Sequence, residues 1–311
     1  VLAVTALIQR LVGVGGVAHA RGMANDPTRR WRTPRVEAPG RVDPAFARWF
    51  SRWVWPCLRW GFRPRLVGAE HLPTDRPYLL VANHSAGVGL AEILCLMGLW
   101  LERFGGSRPL AGFAHPLGLK IFPASAVLAR VGAVPSTYAD ATAALSARVS
   151  LLVFPGGDHE TLRPLWQARR VDFGGRRGFL RVAQAAGVPI VPLGIRGSHF
   201  TAPMLLRARW LSWVLVLPRL IGMKRWGLSV LGVLVSLVIW RFVPLEPSVR
   251  ALLIWLWLGS PFVFWPIVPW SLKYTVGAPL EPDALFRDDD PDLAAAALTV
   301  QSAVQALADA R

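Results

Sequence analysis

In the stretch YLLVANHSAGVGLAEILCL, residues 78–96, a histidine stands where an apolar run ends and a Ser-Ala-Gly turn begins. An imidazole titrates near neutrality, so a histidine at the end of a buried strand can take a proton from an attacking hydroxyl. Asn83, just before His84, can hold such a turn by bonding backbone groups. A second polar concentration lies in LLVFPGGDHETLRP, 151–164. Phe154, Pro155, Gly156 and Gly157 end an apolar run in a tight turn whose N–H groups no side chain shields. Such turns suit phosphate or oxyanion contacts. Asp158, His159 and Glu160 crowd behind it, although an ordinary β-turn with solvated acids has the same composition. A third group is Arg176 and Arg177, at the start of a predicted helix, with Arg196 after the next apolar run. Arginines so placed grip phosphate in a bidentate manner or serve as plain surface charge.

The remaining histidines, His19, His71, His115 and His199, fall in turn-like sequence, and no pair has the spacing of a helical metal site. Cys57 and Cys95 are the two cysteines, both in apolar surroundings, and they read as buried free thiols suited to a reducing compartment. A metal is therefore not expected.

The elements that must position these residues follow from periodicity. The runs 78–82, 150–154 and 188–195 carry the β-branched content of buried strands, and helical patterns lie near 89–104, 138–148 and 176–187. Strands separated by helices imply an α/β fold with a mixed, largely parallel sheet flanked by helices, with functional loops at the carboxyl ends of the strands. Residues 271–282 read as a returning strand and turn, and 292–308 as a C-terminal helix.

Composition places this sheet beside lipid. The chain is 53% hydrophobic, too apolar for a solvated basic protein, yet it carries a net charge of +16 and 15 tryptophans. Lysine occurs only at 120, 224 and 273, so arginine supplies the charge, dispersed among Trp, Leu and Pro without a nucleic-acid-binding signature. Phe46, Trp49, Phe50 and Trp53 recur at the spacing of one helical face, bordered by Arg48 and Arg52. That face suits a membrane interface or, equally, a protein core. Residues 226–240 and 251–270 are uncharged, but the first is short for a membrane span and the second contains Pro261, Pro266 and Pro269. A hairpin dipping into the bilayer is preferred to a pair of spans. The expected organisation is an N-terminal helix or peripheral anchor and linker (1–44), an interfacial amphipathic helix (45–65), a core (66–204), a hydrophobic membrane-associated hairpin (205–270), and a strand and helix returning to the core (271–311).

Taken in order, the blocks NHSAG, AHPLGLKIFP, LARVGAVPS, LLVFPGGDHE and RRGFLRVAQAAGVPIVPLGIRGSH resemble the lysophospholipid/glycerolipid acyltransferase superfamily. Within it they are similar to the branch of diacylglycerol-acyltransferase-like bacterial proteins. The likeness covers residues 66–200, with GAPLEP at 277–282 a weaker echo. It implies an α/β domain at the cytoplasmic face of the inner membrane. That domain would move a fatty acyl group from acyl-CoA or acyl carrier protein to a lipid hydroxyl, with no further cofactor. His84 would be the general base, and Asn83, Ser85, Phe154, Pro155, Gly156, Gly157, Glu160, Arg176, Arg177 and Arg196 would contact substrate.

The sequence departs from the usual signature of the superfamily, a histidine followed five positions later by aspartate: that position here is Gly89. Glu92, the only acid between Asp75 and Glu102, would take the aspartate's role, since an unpaired charge among Ile93, Leu94, Leu96 and Met97 would be costly. Two other readings stand beside this one. Asn83–Gly87 is similar to a lipase elbow with its first glycine replaced, which would make Ser85 a nucleophile served by Asp158 and His199. A non-catalytic membrane scaffold would follow if the missing aspartate meant lost activity.

Overall fold

A computed structural model describes residues 39–85, 87, 89–114, 119, 124–286 and 293–310. The expected N-terminal helix or anchor, most of the linker after it, and most of the AHPLGLKIFP block lie outside the described residues. In chain order the strands are β1 (Arg65–Val67), β2 (Leu79–Ala82), β3 (Leu110–Ala114), β4 (Val134–Pro135), β5 (Ser150–Val153), β6 (Ile190–Arg196), β7 (Met204–Ala208), β8 (Trp226–Ser229) and β9 (Lys273–Val276). The helices are α1 (Pro44–Trp49), α2 (Trp55–Phe62), α3 (Leu90–Phe104), α4 (Ala124–Arg130), α5 (Tyr138–Ser146), α6 (Gly157–Thr161), α7 (Gly178–Ala186), α8 (Arg209–Val214), α9 (Leu217–Leu220), α10 (Val230–Phe242), α11 (Pro247–Gly259), α12 (Pro282–Leu285) and α13 (Ala294–Asp309).

Seven strands form one sheet in the order β1-β9-β6-β2-β5-β3-β4. Pairing is parallel from β6 through β4, whereas β9 runs antiparallel to β6 and parallel to β1. Side chains alternate across the pleat. Leu79 and Val81 pack on a layer of α5, α7 and α13, while Leu80 and Ala82 pack beneath α3. Burial on both faces is why these strands read as unbroken apolar runs. The three strands predicted as buried runs become β2, β5 and β6, and the predicted return near 271 becomes β9. β1, β3 and β4, interrupted by arginine, glycine and proline respectively, carry no such signal.

The strand order puts β2 between β5 and β6, so the segments after Ala82, Val153 and Arg196 leave the same edge of the sheet. Asn83 ties two of them together. Its amide donates to the Ile195 carbonyl at 2.8 Å and accepts from the Ile195 N–H at 2.7 Å, extending the β2–β6 pairing by a side chain.

The amphipathic segment folds differently from the expected single stripe. Asp43 caps α1 by accepting from Phe46 N–H at 2.7 Å, and Pro44 occupies its first turn. A π-helical turn, Phe50–Val54, then joins α1 to α2, with Trp55 N–H bonded to the Phe50 carbonyl. Because Pro56 has no N–H to continue the α-helical ladder, the wider turn absorbs the defect. It advances each residue by less than an α-helix does and carries Trp53 back over Trp49. Phe46 and Phe50 are consequently buried, together with Trp55, while Trp49, Trp53 and Trp60 face outward. Cys57 is also exposed, correcting its expected burial, whereas Cys95 is buried.

The uncharged run 226–240 is likewise not one helix. Its first four residues pair as β8 with β7, and Ser229 then caps α10 by accepting from Gly232 N–H at 2.9 Å. In the later run the α-helix ends at Gly259, ahead of its prolines, and a short 3-10 helix, Pro261–Phe264, follows. Among the described residues no helix is long and apolar enough to cross a membrane. Leu162 of the core packs with Met204, Leu215, Trp226, Val263 and Phe264, so the base of this insertion is part of the folded body.

Helix α3 accepts α2 through one glycine. A Cβ at Gly98 would overlap the Trp55 indole and lie 2.6 Å from its Cδ2. Gly98→Ala should therefore destabilise the protein by about 1–3 kcal/mol through overpacking, despite alanine's better helix propensity. Urea unfolding should show a lower midpoint with an unchanged slope; an unchanged midpoint would refute this packing.

Candidate active site

His84 leaves the end of β2 and turns back toward α3, and its Nδ1 is hydrogen-bonded to Glu92 Oε1. Glu92 is the third residue of α3 and is 0% exposed. Near the amino end of a 15-residue helix, the helix dipole favours its charge. The same oxygen accepts from Ser85 N–H at 3.1 Å. A carboxylate only accepts, so Nδ1 carries the proton and Nε2 keeps the lone pair. Phe154 stacks on the imidazole with centroids 4.3 Å apart and planes at 25°, fixing the ring from the β5 side.

Gly89 explains itself in this geometry. Its φ is +68°, and a Cβ there would overlap His84 Cε1 and lie 2.9 Å from Glu92 Oε1. The volume that a side chain at 89 would fill holds the ring and its carboxylate instead.

The second block supports the turn from below. Glu160, 0% exposed, accepts from His84 N–H at 3.0 Å, Asp172 N–H at 3.1 Å and Arg163 Nη1 at 3.2 Å. Burial raises its carboxyl to about 7, against the pull of Arg163 and the two amides. Burial also lowers the Arg163 guanidinium, with Glu160 opposing. The neighbouring glycines answer to close approach: a Cβ at Gly156 would overlap the Glu160 carboxylate, and one at Gly157 would lie 2.6 Å from Arg176 Nη1. Gly157 N–H is already bonded to the Phe154 carbonyl at 3.2 Å. Arg176 straps the turn, donating to the Pro155 and Gly156 carbonyls at 3.0 and 2.7 Å and to Asp158 at 2.6 Å.

A cavity of about 1810 Å³ opens on this arrangement. His84, expected as the general base, and Phe154, Pro155, Gly157 and Arg176, expected to contact substrate, are among the residues that line it. Asn83, Ser85 and Glu160 are instead buried and bonded within the turn. Arg196 points elsewhere, donating to the Asp309 and Ala310 carbonyls at the end of α13. Arg177 stands at the start of α7. Apolar walls come from Ile93, Leu96, Met97, Leu101, Leu128 and Val131. Two contributions had no signal in the sequence. Tyr274, on β9, donates its hydroxyl to the Glu92 carbonyl at 2.7 Å, and the 209–225 segment supplies part of the cavity wall.

The partners required by a serine hydrolase are engaged otherwise. Asp158 is paired with Arg176 and lies 3.6 Å from Arg225. His199 is buried, its Nε2 lies 3.3 Å from the Pro164 carbonyl, and burial lowers its imidazole to about 4. Among the described residues no group of three or more His, Cys, Asp or Glu is placed to hold a metal ion.

The raised Glu160 carboxyl has a sign that can be measured. In the unfolded chain it titrates near the usual value of about 4.3. The folded protein thus holds an extra proton between that value and about 7. Its contribution to stability is full below the unfolded value and falls away as pH rises through about 7, on the order of 3 kcal/mol in all. Urea unfolding of wild type and Glu160→Gln across pH 4–8 should differ by that slope; parallel curves would contradict it.

Residues 63–196 match the family model described as Acyltransferase. Three proteins illustrate the relatives. An uncharacterized protein of Mycobacterium tuberculosis (strain H37Rv) is 28% identical over 177 residues, which is 57% of this chain and 47% of that protein. Phytyl ester synthase 2, chloroplastic, of Arabidopsis thaliana is 31% identical over 137 residues, 42% of this chain and 19% of that one. Human 2-acylglycerol O-acyltransferase 3 is 26% identical over 218 residues, 62% of this chain and 63% of that one. The chain spans about half the length of the mycobacterial relative. Among solved structures, the 1-acyl-sn-glycerophosphate (LPA) acyltransferase PlsC from Thermotoga maritima aligns with 86% of this chain and 80% of its own. Its TM-score is 0.48 and its identity 17%.

Proposed function

From the match of residues 63–196 to the Acyltransferase family model, we propose that the protein is an O-acyltransferase in which His84 is the general base and Glu92 its positioning partner. The observation that carries this reading is the buried Glu92 carboxylate on Nδ1, which leaves Nε2 as the basic nitrogen of a histidine lining the cavity. The acceptor is a glycerolipid, lysophospholipid or comparable lipid with a free hydroxyl, and the donor is an acyl thioester of CoA or of acyl carrier protein. Nε2 takes the hydroxyl proton as the oxygen attacks the thioester carbonyl. The C–O bond forms, the C–S bond breaks, and the proton passes from the imidazolium to the leaving thiolate. No covalent enzyme intermediate is needed. Glu92 stabilises the imidazolium while it lasts. Gly157 N–H is committed within its turn, and the charge on the carbonyl oxygen is met by the field of Arg176, which lines the cavity while bonded to the Pro155 and Gly156 carbonyls and to Asp158. The engaged states of Asp158 and His199 weigh against the hydrolase, and the intact His84–Glu92 pair weighs against a scaffold.

His84→Ala should lower kcat about 10³-fold, and Glu92→Gln at least about tenfold, with KM little changed. Gly89→Asp restores the spacing usual in the superfamily, yet it should inactivate as thoroughly as His84→Ala, because it evicts the ring. Radiolabelled acyl transfer by purified protein checks all three. Activity surviving in His84→Ala, or improved in Gly89→Asp, would defeat the mechanism.

The chain also carries a surface suited to lipid. Helices α10 and α11 pair with each other but turn Leu234, Leu237, Val238, Trp240, Leu252 and Leu256 outward. At 13 residues each they reach about 20 Å, short of a hydrocarbon core of about 30 Å. Glu246 in their connecting turn, with Arg241 in the last turn of α10 and Arg250 in the first turn of α11, puts charges at the tip that oppose deep insertion tip first. The hairpin therefore reads as lying along the interface rather than dipping into it, with Trp49, Trp53 and Trp60 as further interfacial side chains. Leu234→Glu with Leu237→Glu should weaken binding to anionic vesicles about tenfold while leaving thermal unfolding unchanged, since both side chains already face outward. Undiminished co-flotation with vesicles would reject this face.

A further inference from the structure

The segment between β7 and β8, which precedes the helical hairpin, forms a wall of the cavity. Arg209, Arg219, Lys224 and Arg225 from this segment line the cavity together with Arg176 of the core. Facing them is a single lining carboxylate, Asp158, which is taken up by Arg176 at 2.6 Å and lies 3.6 Å from Arg225. One negative charge among five positive ones leaves this end strongly cationic. Arg209 and Lys224 are exposed, and among the described residues no carboxylate is paired with either, nor with Arg219. Arg219 is held over the Trp213 ring, 4.1 Å from its centroid, and its buried Nε has no hydrogen-bond partner. An aromatic prop that fixes a guanidinium with an unsatisfied donor is an arrangement for an anion that binds from the cavity side.

The segment is anchored so that this wall stays next to the reacting groups. Arg207 donates to the His159 carbonyl, directly after Asp158. Phe264, beyond the helical hairpin, packs with Leu215 of this segment and Trp226 at its end, and lies where a Cβ on Gly87 would come within 2.5 Å of it, against the His84 turn. Away from this segment the lining is mostly apolar but also holds Arg41, Arg48 and Arg108; the 209–225 wall differs in bringing four cations from one short segment, with His84 and Phe154 also in the lining.

We infer that the β7–β8 insertion builds a phosphate-binding arm of the cavity, with Arg209, Arg219 and Lys224 as its ligands and Arg225 setting the field beside Asp158. The inference rests on the acyltransferase reading for the identity of the phosphate, which has two chemical sources: the nucleotide of a CoA donor, or the headgroup of a phosphorylated acceptor. In both, a propped Arg219 and the exposed Arg209 and Lys224, with no carboxylate partner among the described residues, replace the water around a phosphate, and the attraction weakens as salt rises.

Equilibrium binding to the full chain in neutral detergent separates the sources without requiring turnover. The probes are CoA against pantetheine, and a lysophosphatidate against the matching monoacylglycerol. Wild type should bind at least one phosphorylated probe tenfold or more tightly than its uncharged counterpart. Arg209→Glu with Lys224→Glu should abolish that preference while leaving the uncharged probe's affinity unchanged; both side chains are exposed, so the fold should tolerate the reversal. A preference confined to CoA assigns the arm to the donor, and one confined to the lysophosphatidate assigns it to the acceptor. Equal binding within both pairs, or a preference that survives the double reversal, overturns the inference. If wild type shows the preference and the reversal removes it, but no acyl group is ever transferred, the phosphate arm stands and the acyltransferase reading falls.

Discussion

A carboxylate cut off from water needs donors inside the protein, and most of the site can be derived from how Glu92 meets this need at Oε1, its Oε2 having no hydrogen-bond partner among the described residues. Its donors are the ring of His84 and the amide of Ser85, both on the loop that precedes its own helix. For that loop to fold back over the first turn of α3, the chain has to pass Gly89 in a left-handed conformation with nothing projecting from it. Glycine at 89, glutamate at 92 and histidine at 84 are thus one solution rather than three independent choices. The position where an aspartate is usual is empty of a side chain because the acid comes from further along the helix and occupies the same space.

That arrangement holds only if the loop is also fastened from outside. Two polar side chains do this from opposite neighbours of β2. Asn83 grips β6 with a pair of bonds, and Glu160, from the segment after β5, holds the His84 amide. Burial would rather have Glu160 neutral, and Arg163 with two backbone amides pulls the other way. The turn is therefore held by a buried ion pair whose desolvation is offset by shared hydrogen bonds, an arrangement that favours one geometry more than it adds stability.

Much of this was legible in the sequence, for physical reasons that also mark where legibility stopped. Strands buried on both faces are unbroken apolar runs, so β2, β5 and β6 stood out, whereas β1, β3 and β4 are interrupted. Glu92 could be paired with His84 because it was the only acid near it in an apolar stretch. The direction of a polar side chain at a strand end is not written locally, and Asn83, Ser85 and Glu160 read as substrate contacts although they bond inward. The same ambiguity put Arg196 near the chemistry when it caps α13. Nor does a 100°-per-residue pattern foresee a π-helical turn, which divides Phe46 and Phe50 from Trp49 and Trp53. The cationic wall of the insertion was beyond reach, since nothing local ties residues 209–225 to a turn at 84.

The antiparallel return of β9 sets a condition on when the site can exist during synthesis. Tyr274 reaches back 182 positions to bond the Glu92 carbonyl, and β9 pairs with β6 only after the whole of the insertion has been made. A chain still emerging from the ribosome has its histidine, its glutamate and most of its sheet long before it has the strand that closes over them. The helical hairpin, with its outward apolar side chains, is made before that closure, while the cavity still lacks the strand behind Glu92. The order of assembly is thereby written into the connectivity: the exposed apolar hairpin first, the completed His84–Glu92 setting last.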